Sequence, residues 1–125
     1  MLIRTALPLE AQDLAHGMRE VLTGLARAFA FGLRRRPLPP LYSSGVRYAP
    51  EPGLGSGEEE WADPWTVARR GWGDCDDLVA WRVAELLLAG EAAGVNCIWT
   101  GQRYHVRVRR ANGSLEDPSL QLMTD

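Results

Sequence analysis

Three side chains that could carry out nucleophilic chemistry follow one another along this sequence: Cys75, His105 and Asp117. Cys75 lies in a Gly-Asp-Cys-Asp-Asp run at 73–77, just before an apolar segment typical of a helix. A thiol at a helix N-terminus can be activated, because the unpaired backbone amides there, together with a nearby imidazolium, stabilise the thiolate. His105 would act as base and acid, and Asp117 would orient its imidazole. The backbone N–H of Cys75 is a natural oxyanion donor, and the sequence identifies no second one.

The three carboxylates beside Cys75 oppose formation of a thiolate, since each is a negative charge close to the sulfur. Asp74 could cap the helix, and Asp77 stands at capping-box spacing from it, which would engage both with backbone donors. An arginine pair at 69–70 could neutralise part of the charge. A second interpretation makes Asp74, Asp76 and Asp77 a calcium site, because clustered carboxylate oxygens suit Ca²⁺. An acidic helix N-terminus without metal is the more common meaning of such a cluster.

The turn before Asp117 decides whether this carboxylate can reach His105. A two-residue Asn-Gly turn would put Asp117 opposite Val108, on the other side of the sheet from His105. Direct pairing of His105 with Asp117 needs Val108 opposite Ser114 and a five-residue loop at 109–113. We predict the longer loop, or a bulge with the same effect.

The first half of the chain should contain one long helix and little other regular structure. Apolar residues recur at helical spacing from Pro8 until Pro37 stops the pattern, which predicts an amphipathic packing helix. The Pro-, Gly- and Ser-rich segment 37–57 is expected to wrap the surface, with a short extended stretch at 46–48. A helical turn is predicted at 58–61, and Asp63-Pro64 offers a second helix start.

The second half should hold the central helix and a small sheet. Segment 75–89 is apolar around most of its circumference, which predicts a helix buried on several sides. Runs rich in β-branched and aromatic residues predict strands at 95–100 and 104–110, with a third at 115–117.

Length, charge and cysteine content indicate the number of domains, the location of the protein and the kinds of partner to expect. The 125 residues fit one domain, and the net charge of −2 without an extended basic surface argues against a nucleic-acid-binding protein. No apolar run has the length of a membrane span, and Met1 to Pro8 is too short and polar for a secretory signal. The two cysteines have neither zinc nor disulfide-framework spacing, so reduced thiols and a cytoplasmic location are expected.

Taken together, these motifs resemble the transglutaminase-like cysteine hydrolases, a branch of the papain-like fold in which Cys, His and Asp occur in this order. The likeness rests on the Gly-Asp-Cys-Asp-Asp-Leu run at 73–78, Tyr-His-Val at 104–106 and Gly-Ser-Leu-Glu-Asp-Pro-Ser at 113–119. It implies that Cys75 is the nucleophile, His105 the base and acid, and Asp117 the orienting carboxylate.

The resemblance also implies the architecture. It is an α+β fold in which a central buried helix carries the cysteine at its N-terminus and packs on a small antiparallel sheet, with an N-terminal amphipathic helix added. We expect a single domain over 1–125, in which 1–60 forms the helix and wrapping segment and 61–125 the catalytic core.

Two subgroups of the family are similar to this chain. Bacterial transglutaminase-like peptidases can hold calcium with carboxylates flanking the cysteine, here Asp74, Asp76 and Asp77. The small domains of bacteriophage and prophage genomes are similar at 45–48 and 116–119. They imply a part in virion assembly or peptide processing, in the host cytoplasm or in the virion.

The function expected from the resemblance is a cysteine peptidase or amidase that passes through a thioester and requires no cofactor. Its partners would be a protein or peptide substrate and other phage structural proteins, with neither nucleic acid nor membrane. Three alternatives stay open: a phage assembly protein with an idle triad, a transglutaminase that cross-links through an amine acceptor, and a calcium-binding module.

Overall fold

A computed structural model describes residues 2–6, 11–50, 58–101 and 104–123. In chain order its elements are β1 (Leu2–Ala6), α1 (Ala11–Arg35), a 3₁₀ turn (Leu41–Ser43), β2 (Arg47–Tyr48), β3 (Glu58–Ala62), α2 (Pro64–Arg70), β4 (Trp72–Gly73), α3 (Cys75–Leu88), β5 (Gly94–Trp99), β6 (Tyr104–Arg109), β7 (Leu115–Glu116) and α4 (Pro118–Gln121). The fold is α+β: α1 and α3 pack together, and both contact the sheet of β5, β6 and β7.

The amphipathic helix predicted between Pro8 and Pro37 is confirmed over the described residues as α1, while its expected start at Pro8 lies outside them. Its apolar stripe faces the core because residues three, four or seven positions apart share one side of a helix. The buried members of this stripe are Met18, Leu22, Ala26, Phe29 and Leu33. This stripe fixes α1 against α3 and β5.

Helix α3 is the central buried element that the sequence predicts. The Asp74 carboxylate caps it by accepting a hydrogen bond from the Asp77 backbone N–H at 3.0 Å. The Asp77 carboxylate in turn accepts one from the Asp74 backbone N–H at 3.3 Å. This capping box fixes where the helix begins and therefore where Cys75 lies. Nine of its residues are buried, among them Leu78 and Trp81, so the helix is enclosed on several sides.

The predicted hairpin register between the last two strands is wrong. Val108 lies opposite Glu116, and not opposite Ser114. The cause is a shorter turn, in which Gly113 adopts φ 89° and the Arg110 backbone N–H donates to the Ser114 carbonyl at 2.8 Å. Because side chains alternate along a strand, this register still leaves Asp117 on the same face as His105.

The helical turn predicted at 58–61 is also wrong. This segment is strand β3, and it pairs antiparallel with β1, placing Leu2 opposite Ala62 and Ala6 opposite Glu58. No strand was expected at the N-terminus, and β1 is the partner whose hydrogen bonds keep β3 extended. The second start is confirmed, since Asp63 caps α2 by accepting a hydrogen bond from the Thr66 backbone N–H at 2.7 Å.

Segment 37–57 has little regular structure where it is described, as predicted, and residues 51–57 lie outside the described part. It contains the 3₁₀ turn and β2, which pairs in parallel with β4 just before the cysteine motif. The Tyr48 backbone N–H donates to the Leu122 carbonyl at 3.0 Å, which ties this segment to the C-terminal helix α4. Among the helices of the described residues, none combines the length and the hydrophobicity of a membrane span.

Candidate functional site

Cys75 occupies the first helical position of α3, directly after its cap Asp74. The backbone N–H of Cys75 is one of the donors that a helix leaves without an intrahelical acceptor. Its thiol donates to Asp76 Oδ1 at 3.7 Å. Both cysteines of the chain are free thiols, as the sequence analysis expects, and Cys97 packs half-buried against the core.

The electrostatic surroundings of the thiol decide between the two opposing effects that the sequence predicts for its pKa. Burial raises the pKa of Cys75, and the negative charges of Asp76 and Asp74 raise it further. A backbone hydrogen bond from Val106 acts in the opposite direction and is outweighed. The helix N-terminus was expected to lower this pKa, but burial of the thiol and the two neighbouring carboxylates outweigh the helix dipole. The resting group is therefore a neutral thiol.

His105 and Asp117 are joined directly, as the triad requires. His105 Nε2 lies 2.8 Å from Asp117 Oδ2, with the two side chains 28% and 13% exposed. Asp117 is also the cap of α4, because its Oδ1 accepts from the backbone N–H groups of Ser119 at 3.1 Å and Leu120 at 3.4 Å. Each carboxylate oxygen thus has its own partner, and Nδ1 is the imidazole nitrogen left for a proton from the thiol.

All three predicted site residues lie around one cavity of about 120 Å³. Its other lining residues are mostly aromatic or apolar: Tyr48, Tyr104, Ser119, Leu120 and Met123. Among the described hydrogen bonds, the Cys75 thiol donates to Asp76, and none joins the thiol to His105. The structure therefore brings Cys75, His105 and Asp117 together with the His–Asp pair formed and the thiol turned towards a carboxylate.

Ser119 is a polar residue of this cavity that the sequence analysis did not single out. It is 5% exposed, and its Oγ is buried without a hydrogen-bond partner in the described part of the chain. A buried hydroxyl without a partner costs free energy, so such groups often mark functional positions. The only signal in the sequence was its place in the Asp-Pro-Ser run at 117–119.

The three carboxylates proposed as calcium ligands are used in other ways. Asp77 Oδ1 accepts from the Ala62 backbone N–H at 2.8 Å, and its Oδ2 accepts from Arg70 Nη2 at 2.9 Å. Asp76 Oδ2 accepts from Trp61 Nε1 at 3.3 Å. Arg70 thus neutralises charge as the sequence analysis expects, and it does so at Asp77.

A calcium ion at these carboxylates would compete with hydrogen bonds that they already make. The oxygens of Asp74 and Asp77 close the capping box, so a shared ion would have to break the contacts that start α3. In the ranges that the structure describes, no group of three or more His, Cys, Asp or Glu side chains could hold a metal ion. The calcium site at Asp74, Asp76 and Asp77 stays a prediction.

A network of charged residues holds the strand that delivers Asp117. Glu116 Oε2 accepts from Arg82 Nε at 2.7 Å and also from the hydroxyl of Tyr42, while its Oε1 accepts from Arg110 Nη1 at 2.9 Å. Burial is the main cause that raises the pKa of Tyr42, and its bond to Glu116 adds to it. Arg82 lies in the middle of α3, and the sequence does not indicate that its partner is Glu116 of β7. Glu116 links α3 to β7, and so fixes the residue before Asp117.

Comparisons of the chain with protein-family models, with the curated proteins and with the solved structures gave no match. The proposals below therefore depend on the geometry of the site and on the motifs in the sequence.

Proposed function

We propose that this protein is a cysteine-dependent peptidase or amidase with a transglutaminase-like, papain-like core. The observation that carries the proposal is the 2.8 Å hydrogen bond between His105 Nε2 and Asp117 Oδ2 at the cavity that Cys75 also lines. An imidazole held at one nitrogen by a carboxylate and open at the other is the arrangement of a general base.

In the proposed reaction His105 accepts the thiol proton at Nδ1 as Sγ of Cys75 attacks the carbonyl carbon of an amide. The tetrahedral adduct collapses, the C–N bond breaks, and the proton on His105 leaves with the amine. This yields a thioester on Cys75. Water then attacks the thioester while His105 takes its proton, and the acid is released with the thiol restored.

The raised pKa of Cys75 determines how the first step occurs. Burial and the charges of Asp76 and Asp74 disfavour a preformed thiolate. The proton therefore moves during the attack, as it does from a serine hydroxyl, and the thiol first turns from Asp76 towards His105. This makes the reaction strongly dependent on His105.

Two donors are available for the oxyanion that forms during attack. The Cys75 backbone N–H belongs to the first turn of α3, where the helix provides no acceptor. The Ser119 hydroxyl is buried at the same cavity and has no partner in the described part of the chain. We assign it as the second donor, because an oxyanion would satisfy its unused hydrogen-bonding capacity.

The surroundings of the cavity suit an apolar side chain of a protein or peptide substrate. Leu120 is 66% exposed and Met123 50% exposed at its edge. The phage-type resemblance adds a setting for this proposal, namely virion assembly or peptide processing in the host cytoplasm. If a primary amine replaces water as the acceptor, the same thioester gives cross-linking.

The test is acylation of Cys75 by an activated ester, p-nitrophenyl acetate, located by peptide mass spectrometry. We expect an acetyl group on Cys75 that is lost in His105→Ala and retained in His16→Ala, a change at an exposed histidine of α1. Cys97 is the internal control for non-specific reaction. Equal acetylation of Cys75 in the wild type and in His105→Ala would refute the proposed role of His105.

The second candidate function is a phage assembly protein in which the triad is idle. The observation that favours it is the hydrogen bond of the thiol to Asp76, together with the raised pKa of Cys75. On this alternative the folded protein is not acetylated at Cys75, and Cys75→Ser leaves its assembly partners bound. The same mass-spectrometric experiment separates the two candidates.

A further inference from the structure

A second cavity, of about 420 Å³, lies between α1, the end of α3 and the sheet. We call it the arginine groove, because Arg19, Arg27 and Arg109 lie along its edge. None of its lining residues belongs to the cavity of Cys75 and His105. It is therefore a separate feature of the molecule.

The guanidinium groups of the arginine groove have little to neutralise them. The guanidinium groups of Arg27 and Arg109 form no hydrogen bond or ion pair within the described residues. Arg19 Nη2 donates to Nδ1 of His16 at 2.7 Å. An imidazole nitrogen that accepts a hydrogen bond carries no proton, so this contact does not neutralise the charge of Arg19. With Glu20 the single acidic residue among the lining residues, the groove carries a formal charge of +2 in a chain whose net charge is −2.

The backbone arranges these arginines around one space. Arg19, Thr23 and Arg27 are spaced four residues apart on α1 and so share one face of the helix. Arg109 lies opposite Gly94 in the pairing of β6 with β5. A Cβ atom on residue 94 would come within 2.4 Å of Arg109 Nη2, so the absence of a side chain there gives the guanidinium its place.

The inner wall of the arginine groove is apolar. Val83 and Val95 are buried at 1% and 2% exposure, and Leu87 is partly buried against the same core. A cavity of this volume falls within the range of roughly 300–1,000 Å³ that holds small molecules. An apolar wall beside unpaired guanidinium groups complements a ligand with an apolar body and an anionic end.

We propose that the arginine groove binds a small organic anion, in which a phosphate or carboxylate group is attached to an apolar body. The guanidinium fork donates two parallel hydrogen bonds to either oxyanion, and the valine and leucine side chains cover the apolar part. This proposal goes beyond the hydrolase site and does not depend on it.

Calorimetric titration with phenyl phosphate and with benzoate, at fixed ionic strength, tests the proposal. We expect saturable binding of at least one of them, and weaker binding of inorganic phosphate and of neutral phenol. Arg27→Gln and Arg109→Gln should each weaken binding of the anion by about tenfold or more, because each removes a charge-assisted hydrogen bond. Arg34→Gln, the same charge change at an exposed position of the same helix, should leave it unchanged.

A variant that fills the arginine groove separates binding from general charge effects. A Cβ atom on Gly24 would meet no atom within 4 Å, so Gly24→Leu projects into the space without a clash at its base. We expect it to abolish binding while the melting temperature does not fall, because leucine favours a helix more than glycine does. The proposal is overturned by no saturable heat with either anion at millimolar concentration, by equal weakening in Arg34→Gln, or by wild-type binding in Gly24→Leu.

Discussion

Asp117 lies one residue beyond the end of β7, yet its Oδ2 is 2.8 Å from His105 Nε2. The contact arises because Asp117 both follows the strand and caps α4, so its Oδ1 is held by the backbone of Ser119 and Leu120. A carboxylate fixed at one oxygen cannot rotate away from the imidazole. The helix cap therefore contributes to the orientation of His105.

The paired variants Asp117→Asn and Asp117→Ala separate these two roles. Asparagine caps helices about as well as aspartate, so the free energy of unfolding should hardly change, whereas alanine should lower it by about 1 kcal/mol. Asparagine would present an amide N–H to His105 Nε2, which favours the wrong imidazole tautomer. We expect the rate of Cys75 acylation to fall by on the order of 10³- to 10⁴-fold in Asp117→Asn.

Chemical denaturation and time-resolved mass spectrometry measure the two quantities. A loss of stability in Asp117→Asn equal to that in Asp117→Ala would contradict the assignment of the cap. An acylation rate unchanged in Asp117→Asn would show that the carboxylate does not set the tautomer of His105.

Local patterns made α1, α2 and α3 predictable from the sequence. The capping-box spacing of Asp74 and Asp77 and the apolar residues after Cys75 are contained in one short segment, and so is the start of α2 at Asp63. The strand pair β1 and β3 joins segments more than fifty residues apart, and no local pattern specifies such a partner. The sequence therefore predicts a helical turn at 58–61, where the structure has β3.

The geometry of the candidate site also depends on contacts that local sequence patterns do not specify. Whether Asp117 faces His105 depended on the turn at Gly113, whose positive φ shortens the loop by comparison with the prediction. The direction of the pKa shift of Cys75 depended on how deeply the thiol is buried, which the sequence does not state. The partners of Glu116 come from three different segments, so the network appears only in the folded chain.

Asp76→Asn should increase the reactivity of Cys75 towards iodoacetamide. Removing the carboxylate removes one of the charges that raise the pKa of the thiol, so the thiolate fraction at a given pH rises. A decrease of one pKa unit corresponds to about tenfold more thiolate. In the wild type the alkylation rate should rise continuously with pH through the neutral range without reaching a plateau.

Alkylation of Cys75 followed by mass spectrometry between pH 6 and 9 provides the measurement. Asp63→Asn is the matched control, because it neutralises another buried carboxylate that caps a different helix. A rate in Asp76→Asn equal to or below that of the wild type would contradict the electrostatic cause.

Glu116→Ala should destabilise the protein and displace the strand that leads to Asp117. The side chain of Glu116 is 11% exposed, and its removal leaves the guanidinium of Arg82 half-buried without this partner. Loss of a charged partner from such a group costs about 2 to 3 kcal/mol in the free energy of unfolding. Urea denaturation measures the change, with exposed Glu20→Ala expected to stay within about 0.5 kcal/mol of the wild type.

Calcium should have no effect on this protein. Because the oxygens of Asp74 and Asp77 are engaged in the capping box, we expect no heat on titration with Ca²⁺ and an unchanged melting temperature. A rise in melting temperature with Ca²⁺ that is absent in Asp76→Asn would contradict this expectation and support a calcium site at the three carboxylates.

Replacement by alanine should change the free energy of unfolding in opposite directions at two glycines of α1, Gly24 and Gly32. Glycine inside a helix costs about 0.5 to 1 kcal/mol relative to alanine, and Gly24 has open space at its Cβ position. Gly24→Ala should therefore stabilise the protein by this amount. A Cβ atom on Gly32 would lie 2.4 Å from Cη2 of Trp65, whose Nε1 donates to the Arg36 carbonyl at 2.9 Å.

The indole cannot move away from a new methyl group at residue 32 without losing this hydrogen bond and its contact with Arg36, whose guanidinium lies 5.3 Å from the ring centroid. Gly32→Ala should therefore lower the free energy of unfolding by about 1 to 3 kcal/mol, the cost of an overpacked contact, despite the better helix propensity of alanine. Urea denaturation of the two variants side by side measures both changes. A stabilising Gly32→Ala would show that Trp65 can shift freely and that the contact between α1 and α2 is not close-packed.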